Sequence, residues 1–150
     1  MTAQDVPSLD QARFFVDEDL SGLGIALMRL RRDVIVGGRA PASEIAPKDD
    51  PDWIPVVAAR GWVVITNDRH IRTRPGEADQ ARDMGLLCVC LRPTVDNATP
   101  WDFMMVLARH WIRVEELVGQ EGPAWIELRG DRARELPYQP GQPPRLPSAR

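Results

Sequence analysis

The sequence predicts an α/β domain with a mostly parallel sheet and right-handed crossovers. Three observations carry that expectation. Short apolar runs rich in Val, Ile and Cys alternate with stretches whose apolar residues recur at helical spacing. Gly, Pro, Asp and Asn mark the junctions between them. At 150 residues the chain has the size of one ordinary domain and buries most of its apolar surface without disulfides or a structural metal.

Residues 1–11 are polar and unpatterned, which reads as a flexible N-terminus. The domain begins with a short strand over Arg13 to Val16, followed by a helix over Leu20 to Arg31 with apolar residues at Leu20, Leu23, Leu27 and Leu30. Val34 to Val36 is a second buried run, and Gly37 to Asp49 is a loop rich in Gly, Pro and Ala. Asp50-Pro51 supplies a cap and a first-turn proline for a helix to about Arg60, which Gly61 ends. Trp62 to Thr66 is apolar and β-branched and too short for a helix. A third helix is expected over Gly76 to Met84, stopped by Gly85, before a strand over Leu86 to Leu91. Thr99-Pro100-Trp101-Asp102 opens a long helix whose stripe of Trp101, Met104, Met105, Ala108, Trp111, Ile112 and Val118 is expected in the core. Ala124 to Leu128, with Ala133 to Leu136, adds a C-terminal β edge or hairpin. The folded domain is thus expected over 12–136, with 137–150 as a Pro-rich flexible tail holding five of the 14 prolines.

The expected sheet order begins 2-1-3-4, which makes strands one and three neighbours at a topological switch point. Ligands of open parallel sheets bind beyond the carboxyl ends of the strands there. Asp17 closes Phe14-Phe15-Val16, Asp68 closes the run that ends in Thr66-Asn67, and Asp52 opens the helix leading into that run. Each acid has an ordinary reading. Asp19 caps the first helix, Asp50 the second, Asp52 suits a helix N-terminus, and Asp68 is a turn residue. What singles out Asp17, Asp52 and Asp68 is that one sheet edge collects them.

Carboxylates that share a site repel one another unless a cation neutralises them. Mg2+ or Mn2+ suits an all-oxygen set and leaves positions for substrate phosphate. One or two such ions polarise a phosphodiester, activate water and stabilise the departing oxygen. Hydrolysis of a nucleic acid backbone is the natural use. Arg69, His70, Arg72 and Arg74 follow Asp68 and are candidates for RNA contacts, although a solvated basic loop explains them too.

Bulk properties narrow the classes. A formal charge of −3 argues against holding nucleic acid by overall positive charge. Lys48 is the single lysine among 19 basic residues, a bias that fits either phosphate recognition or a GC-rich genome. Cys88 and Cys90 alternate with Val89 on one strand face, where they cannot easily pair, and with only His70 and His110 to join them they make no zinc motif. No run of about 18 apolar residues and no signal pattern is present, so a cytoplasmic protein with reduced thiols and no membrane association is expected.

The run from Phe14 to Leu20, and more strongly that from Asp52 to His70, resembles the PIN-like domains of the VapC-type toxin ribonuclease group, in its compact variant. The resemblance covers Phe14 to Leu91 and implies a three-layer α/β/α domain. It also implies a Mg2+- or Mn2+-dependent ribonuclease, the toxin of a toxin–antitoxin pair with a cognate antitoxin protein as partner, and a homodimer. Asp17, Asp52 and Asp68 take the catalytic and metal-binding places it implies. The usual further acid on an intervening helix has no counterpart here. Glu18, Asp19, Asp49 and Asp79 are available for it, Asp19 and Asp49 foremost; Glu18 is disfavoured if the strand continues, because it would point to the opposite face. Two other functions remain open: a non-catalytic PIN-like module that binds RNA or protein, and a phosphoacceptor receiver, suggested by Val16-Asp17-Glu18-Asp19. The receiver lacks its usual lysine, because Lys48 sits in an early loop.

Overall fold

The apolar runs form the strands. In the computed structural model, which describes residues 7–47 and 52–140, the strands are β1 (Phe14–Val16), β2 (Val34–Val36), β3 (Val63–Thr66), β4 (Leu87–Arg92), β5 (Ala124–Arg129) and β6 (Arg132–Leu136). The helices are α1 (Ser21–Leu30), α2 (Trp53–Ala59), α3 (Pro75–Met84), α4 (Pro100–Arg109) and α5 (Trp111–Glu115). The sheet order is β2-β1-β3-β4-β5-β6, parallel throughout except for the β5–β6 hairpin. The expected order 2-1-3-4, the mostly parallel sheet and the C-terminal hairpin are therefore all present.

A parallel sheet with both faces covered needs strands apolar at every position. Val34, Ile35 and Val36 are each fully buried, as are Val63, Val64 and Ile65. On one face Phe14, Val16, Val36, Ile65, Val89 and Ile126 pack against Leu23 and Leu27 of α1, Val106 and Leu107 of α4, and Val114 of α5. On the other, Phe15, Ile35, Val64, Cys88, Cys90 and Trp125 pack against Ile54 and Val57 of α2 and Ala81 of α3. Three layers result. Both cysteines are buried and unpaired, as their alternation implied.

Gly24 lets α1 lie close on this sheet: a Cβ there would stand 2.6 Å from Val36 Cγ2 and 3.1 Å from Val16. Its close seat sets the direction from which α1 leaves the end of β1. At the N-terminal ends of β4 and β5, Tyr138 is buried beyond β6 and donates its hydroxyl to Leu86 O at 3.0 Å.

Three expectations need correction. The long helix after Thr99 is two helices, broken at His110, whose Nε2 lies 3.0 Å from Arg129 O and 3.1 Å from Gly130 O. Its expected core stripe is right only in part: Met104, Trp111 and Val118 pack against the core, but Trp101, Met105 and Ile112 are exposed, and Val106, Leu107, Val114 and Leu117 are the buried residues. With apolar residues on most sides of this segment, spacing alone did not fix which face turns inward. The second helix starts at Trp53, later than expected, and its N-cap Asp52 makes no side-chain capping bond. Asp49, like Asp50-Pro51, lies outside the described residues.

Candidate active site

Strand β1 gives out at Val16, and the next residue turns the chain. Asp17 N still donates to Ile65 O at 2.9 Å, holding Asp17 to the end of β3. Its Oδ1 accepts from Glu18 N at 2.7 Å and so caps a short 3-10 turn, Glu18–Leu20, that runs into α1. Strand alternation therefore stops before Glu18. Rather than pointing away, Glu18 lines the same cleft as Asp17 and Asp19. The Gly37-Gly38 pair makes room for it: a Cβ on Gly38, whose φ is +76°, would sit 2.9 Å from Glu18 Cδ.

Strand β3 ends on Thr66, which is completely buried. Its hydroxyl donates to Asp17 Oδ2 at 2.8 Å, with Asp19 Oδ2 farther off at 3.4 Å, and it accepts from Asp68 N at 2.9 Å. Asp19 Oδ2 also accepts from Asn67 N at 3.1 Å. Asp68 Oδ1 caps the following 3-10 turn, Arg69–Arg72, by accepting from His70 N at 2.9 Å. Its Oδ2 lies 3.6 Å from Arg74 Nη2, and Arg74 is in turn paired with Glu77 in the first turn of α3. One buried hydroxyl thus ties together three acidic residues on two segments, Asp17 and Asp19 after β1 and Asp68 after β3.

The cleft above them has a volume of about 530 Å³, and among the described residues its ionisable lining is Asp17, Glu18, Asp19, Asp68 and Glu77, all acids. This crowding shifts protonation. Burial raises Asp17 above the usual carboxylate range, reinforced by the charges of Asp68 and Glu18 and opposed by the Thr66 hydroxyl and the Glu18 amide. Asp19 is pushed up to about 7, first by desolvation and then by Asp17. Asp19 is exposed as a residue, so the desolvation falls on the carboxylate end turned toward Asp17 and Thr66. Among the described residues no group of three or more His, Cys, Asp or Glu side chains already stands in a cage for a metal ion. The donor chemistry nevertheless fits a hard divalent cation: all-oxygen, carboxylate-rich, and destabilised by its own charge.

Of the residues expected at the site, Asp17, Asp19 and Asp68 come together. Asp52 is exposed at the start of α2, next to Trp53, which does line the cleft; Asp52 itself is not in the lining. Asp79 lies farther along α3 and pairs with Arg82. Arg69 and His70 are exposed on the turn after Asp68. Arg72 donates to Pro137 O at 3.0 Å, and Arg74 bridges Asp68 and Glu77. Two participants were not foreseen. Thr66 reads in sequence as the last position of an apolar strand, its one signal being its place two residues before Asp68, and Glu77 as a helix-start acid.

Thr66→Val tests the hydroxyl with little change in volume. It leaves the Asp68 amide without its Thr66 partner and Asp17 Oδ2 without the Thr66 donor, while Asp17 Oδ1 keeps the Glu18 amide. The expected cost is about 1–2 kcal/mol in urea unfolding. Unchanged stability would show that the bonds centred on Thr66 contribute nothing net.

A family model described as PIN like domain matches residues 12–93. No curated protein and no solved structure matches the chain.

Proposed function

The chain belongs to the PIN-like domain family, a nuclease-type fold, through more than half of its length, and from that premise we propose that it is a Mg2+- or Mn2+-dependent ribonuclease. The observation that carries the reading is the convergence of Asp17, Asp19 and Asp68 around the Thr66 hydroxyl at the switch point of the sheet. Asp17 and Asp68 would hold the ion, with Asp19 completing the set; Asp52, the residue before the cleft-lining Trp53, is the further candidate. When bound, the ion supplies charge for the phosphodiester and an activated water. The protein's own part is to fix these carboxylates. Thr66 and the Glu18 amide orient Asp17, the Asn67 amide orients Asp19, and the His70 amide orients Asp68. Arg69 and His70 stand exposed at the rim, where they would meet a phosphate backbone.

Purified protein is expected to cut single-stranded RNA on addition of Mg2+ or Mn2+, to stop on chelation with EDTA, and to resume when metal is restored. RNA that stays intact with both metals rejects the reading. The narrower assignment, a VapC-type toxin acting as a homodimer and held by a cognate antitoxin, is part of the same proposal. Its support is the Asp52 to His70 run, and co-purification with a small basic partner that silences cleavage would be its signature. Among the described residues no helix is long and apolar enough to cross a membrane.

A pH dependence follows from Asp19. With its carboxyl pushed up to about 7, the metal-free protein holds a proton there that a divalent ion must displace. Mn2+ affinity is therefore expected to fall as pH drops through about 7, and calorimetry near that pH in buffers of different ionisation enthalpy should show proton release. The linkage to stability has the opposite slope. Between the ordinary value of 3.8 and about 7 the folded metal-free protein binds more protons than the unfolded chain, so its stability declines as pH rises through that window. Binding without proton release would place the metal away from Asp19.

A further inference from the structure

The segment beyond residue 93, outside the family match, adds a hairpin to the sheet and with it a set of arginines. Register places Arg92 of β4 opposite Arg129 of β5, and Arg129 opposite Arg132 of β6. Directly paired residues project to the same side, so these three form a row across adjacent strands about 4.8 Å apart. Arg134 lies opposite Glu127 in the row beneath, on that same side. This is the side of Cys88 and Cys90, because Arg92 continues their alternation. The row also begins at the level of the acidic cleft: Thr66 is in register with Cys90, Asp68 follows Thr66 by two residues, and Arg92 follows Cys90 by two.

The charge on this side is one-sided. Glu127 is buried and neutralises part of it, accepting from Arg129 Nε at 2.7 Å, which leaves the terminal nitrogens of Arg129 for another acceptor. Arg92, Arg132 and Arg134 make no ion pair with another described residue. On the opposite side β6 carries Ala133 and Glu135. Protecting an edge strand from pairing accounts for charge on β6 alone. It does not account for Arg92 on a central strand, nor for one sign on one side.

We propose that Arg92, Arg129, Arg132 and Arg134 form a backbone-phosphate track for single-stranded RNA that leads from the acidic cleft across β4 to β6. Its direction rests on the ribonuclease reading; its chemistry does not. Planar guanidinium forks in series suit the phosphates of an extended strand, and contacts of this kind are independent of sequence and weakened by salt. A net-acidic chain needs such a track, because its cleft by itself repels polyanions.

The test measures binding of a labelled single-stranded oligouridine in EDTA as a function of salt, and separately cleavage of a trinucleotide with Mn2+. Arg132→Gln with Arg134→Gln is expected to weaken oligouridine binding about tenfold at low salt and to reduce the salt slope by about 1.4, while trinucleotide cleavage is unchanged. The pair Arg132→Lys with Arg134→Lys keeps the slope, which separates charge from folding. A slope that ignores the Gln pair overturns the track. So does a protein that prefers polyglutamate to oligouridine, which would mark the surface as a seat for an acidic protein. Strip-dependent binding by a protein that cuts no RNA supports the track and removes the ribonuclease reading. Cleavage by a protein whose binding ignores the arginines removes the track and leaves that reading in place.

Discussion

Asp17→Asn and Asp68→Asn are each expected to lower the proposed RNA cleavage by about two orders of magnitude or more while leaving the fold intact. The argument is one of charge at constant shape. An asparagine at 17 keeps its one oxygen for the Glu18 amide and turns an NH2 toward the Thr66 hydroxyl, which can accept from it, and an asparagine at 68 still offers an oxygen to the His70 amide. The caps of both 3-10 turns survive. What goes is a negative charge from a cleft whose ionisable lining, among the described residues, is acidic. Without metal that loss relieves repulsion, so thermal stability at neutral pH should hold or rise. With metal, on the proposed reading, it removes a ligand. Initial rates and melting curves measured on the same samples separate the two effects. Rates within a few-fold of wild type in both variants would show that these carboxylates are not where cleavage occurs.

The second large effect is on stability. Gly85 ends α3 in the left-handed conformation, at φ +74°, and its carbonyl lies against Gly122. A Cβ on Gly122 would stand 2.1 Å from Gly85 O and 2.6 Å from Gly85 C, backbone atoms that no rotamer change can move. Gly122→Ala must therefore shift the α3–β4 junction or the entry to β5. The expected cost is about 3 kcal/mol or more, roughly 6–12 °C in Tm. Gly119→Ala is the control. That glycine also has positive φ, +81°, but nothing lies within 4 Å of its Cβ, so only the backbone preference of about 1 kcal/mol is lost. Equal destabilisation by the two substitutions would contradict the close-approach account.

The parts of the fold that local patterns dictate were legible. Val34 to Val36 matched its strand to the residue, because three consecutive apolar positions between turn signals have few other readings. Gly85 stopped its helix for the reason glycine usually does, by taking a left-handed cap. Thr99 and Asp102 form the reciprocal cap their spacing announced. The break at His110 was not legible, since the carbonyls that hold its ring belong to Arg129 and Gly130, on the far side of β5. Trp101 and Ile112 looked like core because hydrophobicity does not say which of two apolar faces meets the sheet.

The site divides in the same way. Asp17 and Asp68 could be named because strand ends and sheet order fix them. Asp19 was read first as a helix cap, and its place beside Asp17 depends on the Asn67 amide and the Thr66 hydroxyl, contacts between segments 47 and 48 residues apart. Glu77 enters through Arg74, which reaches back to Asp68. Long-range side-chain bonds of this sort leave no period in a sequence.

The claim on which the functional reading turns is that these carboxylates hold a divalent cation. Electron paramagnetic resonance measures it directly, by titrating Mn2+ into wild type and into Asp17→Asn and following the free-ion signal. The account predicts that wild type removes free Mn2+ from solution and saturates, whereas Asp17→Asn leaves the free signal nearly as large as in buffer. Equal uptake of Mn2+ by the two proteins, or none by wild type, would contradict it.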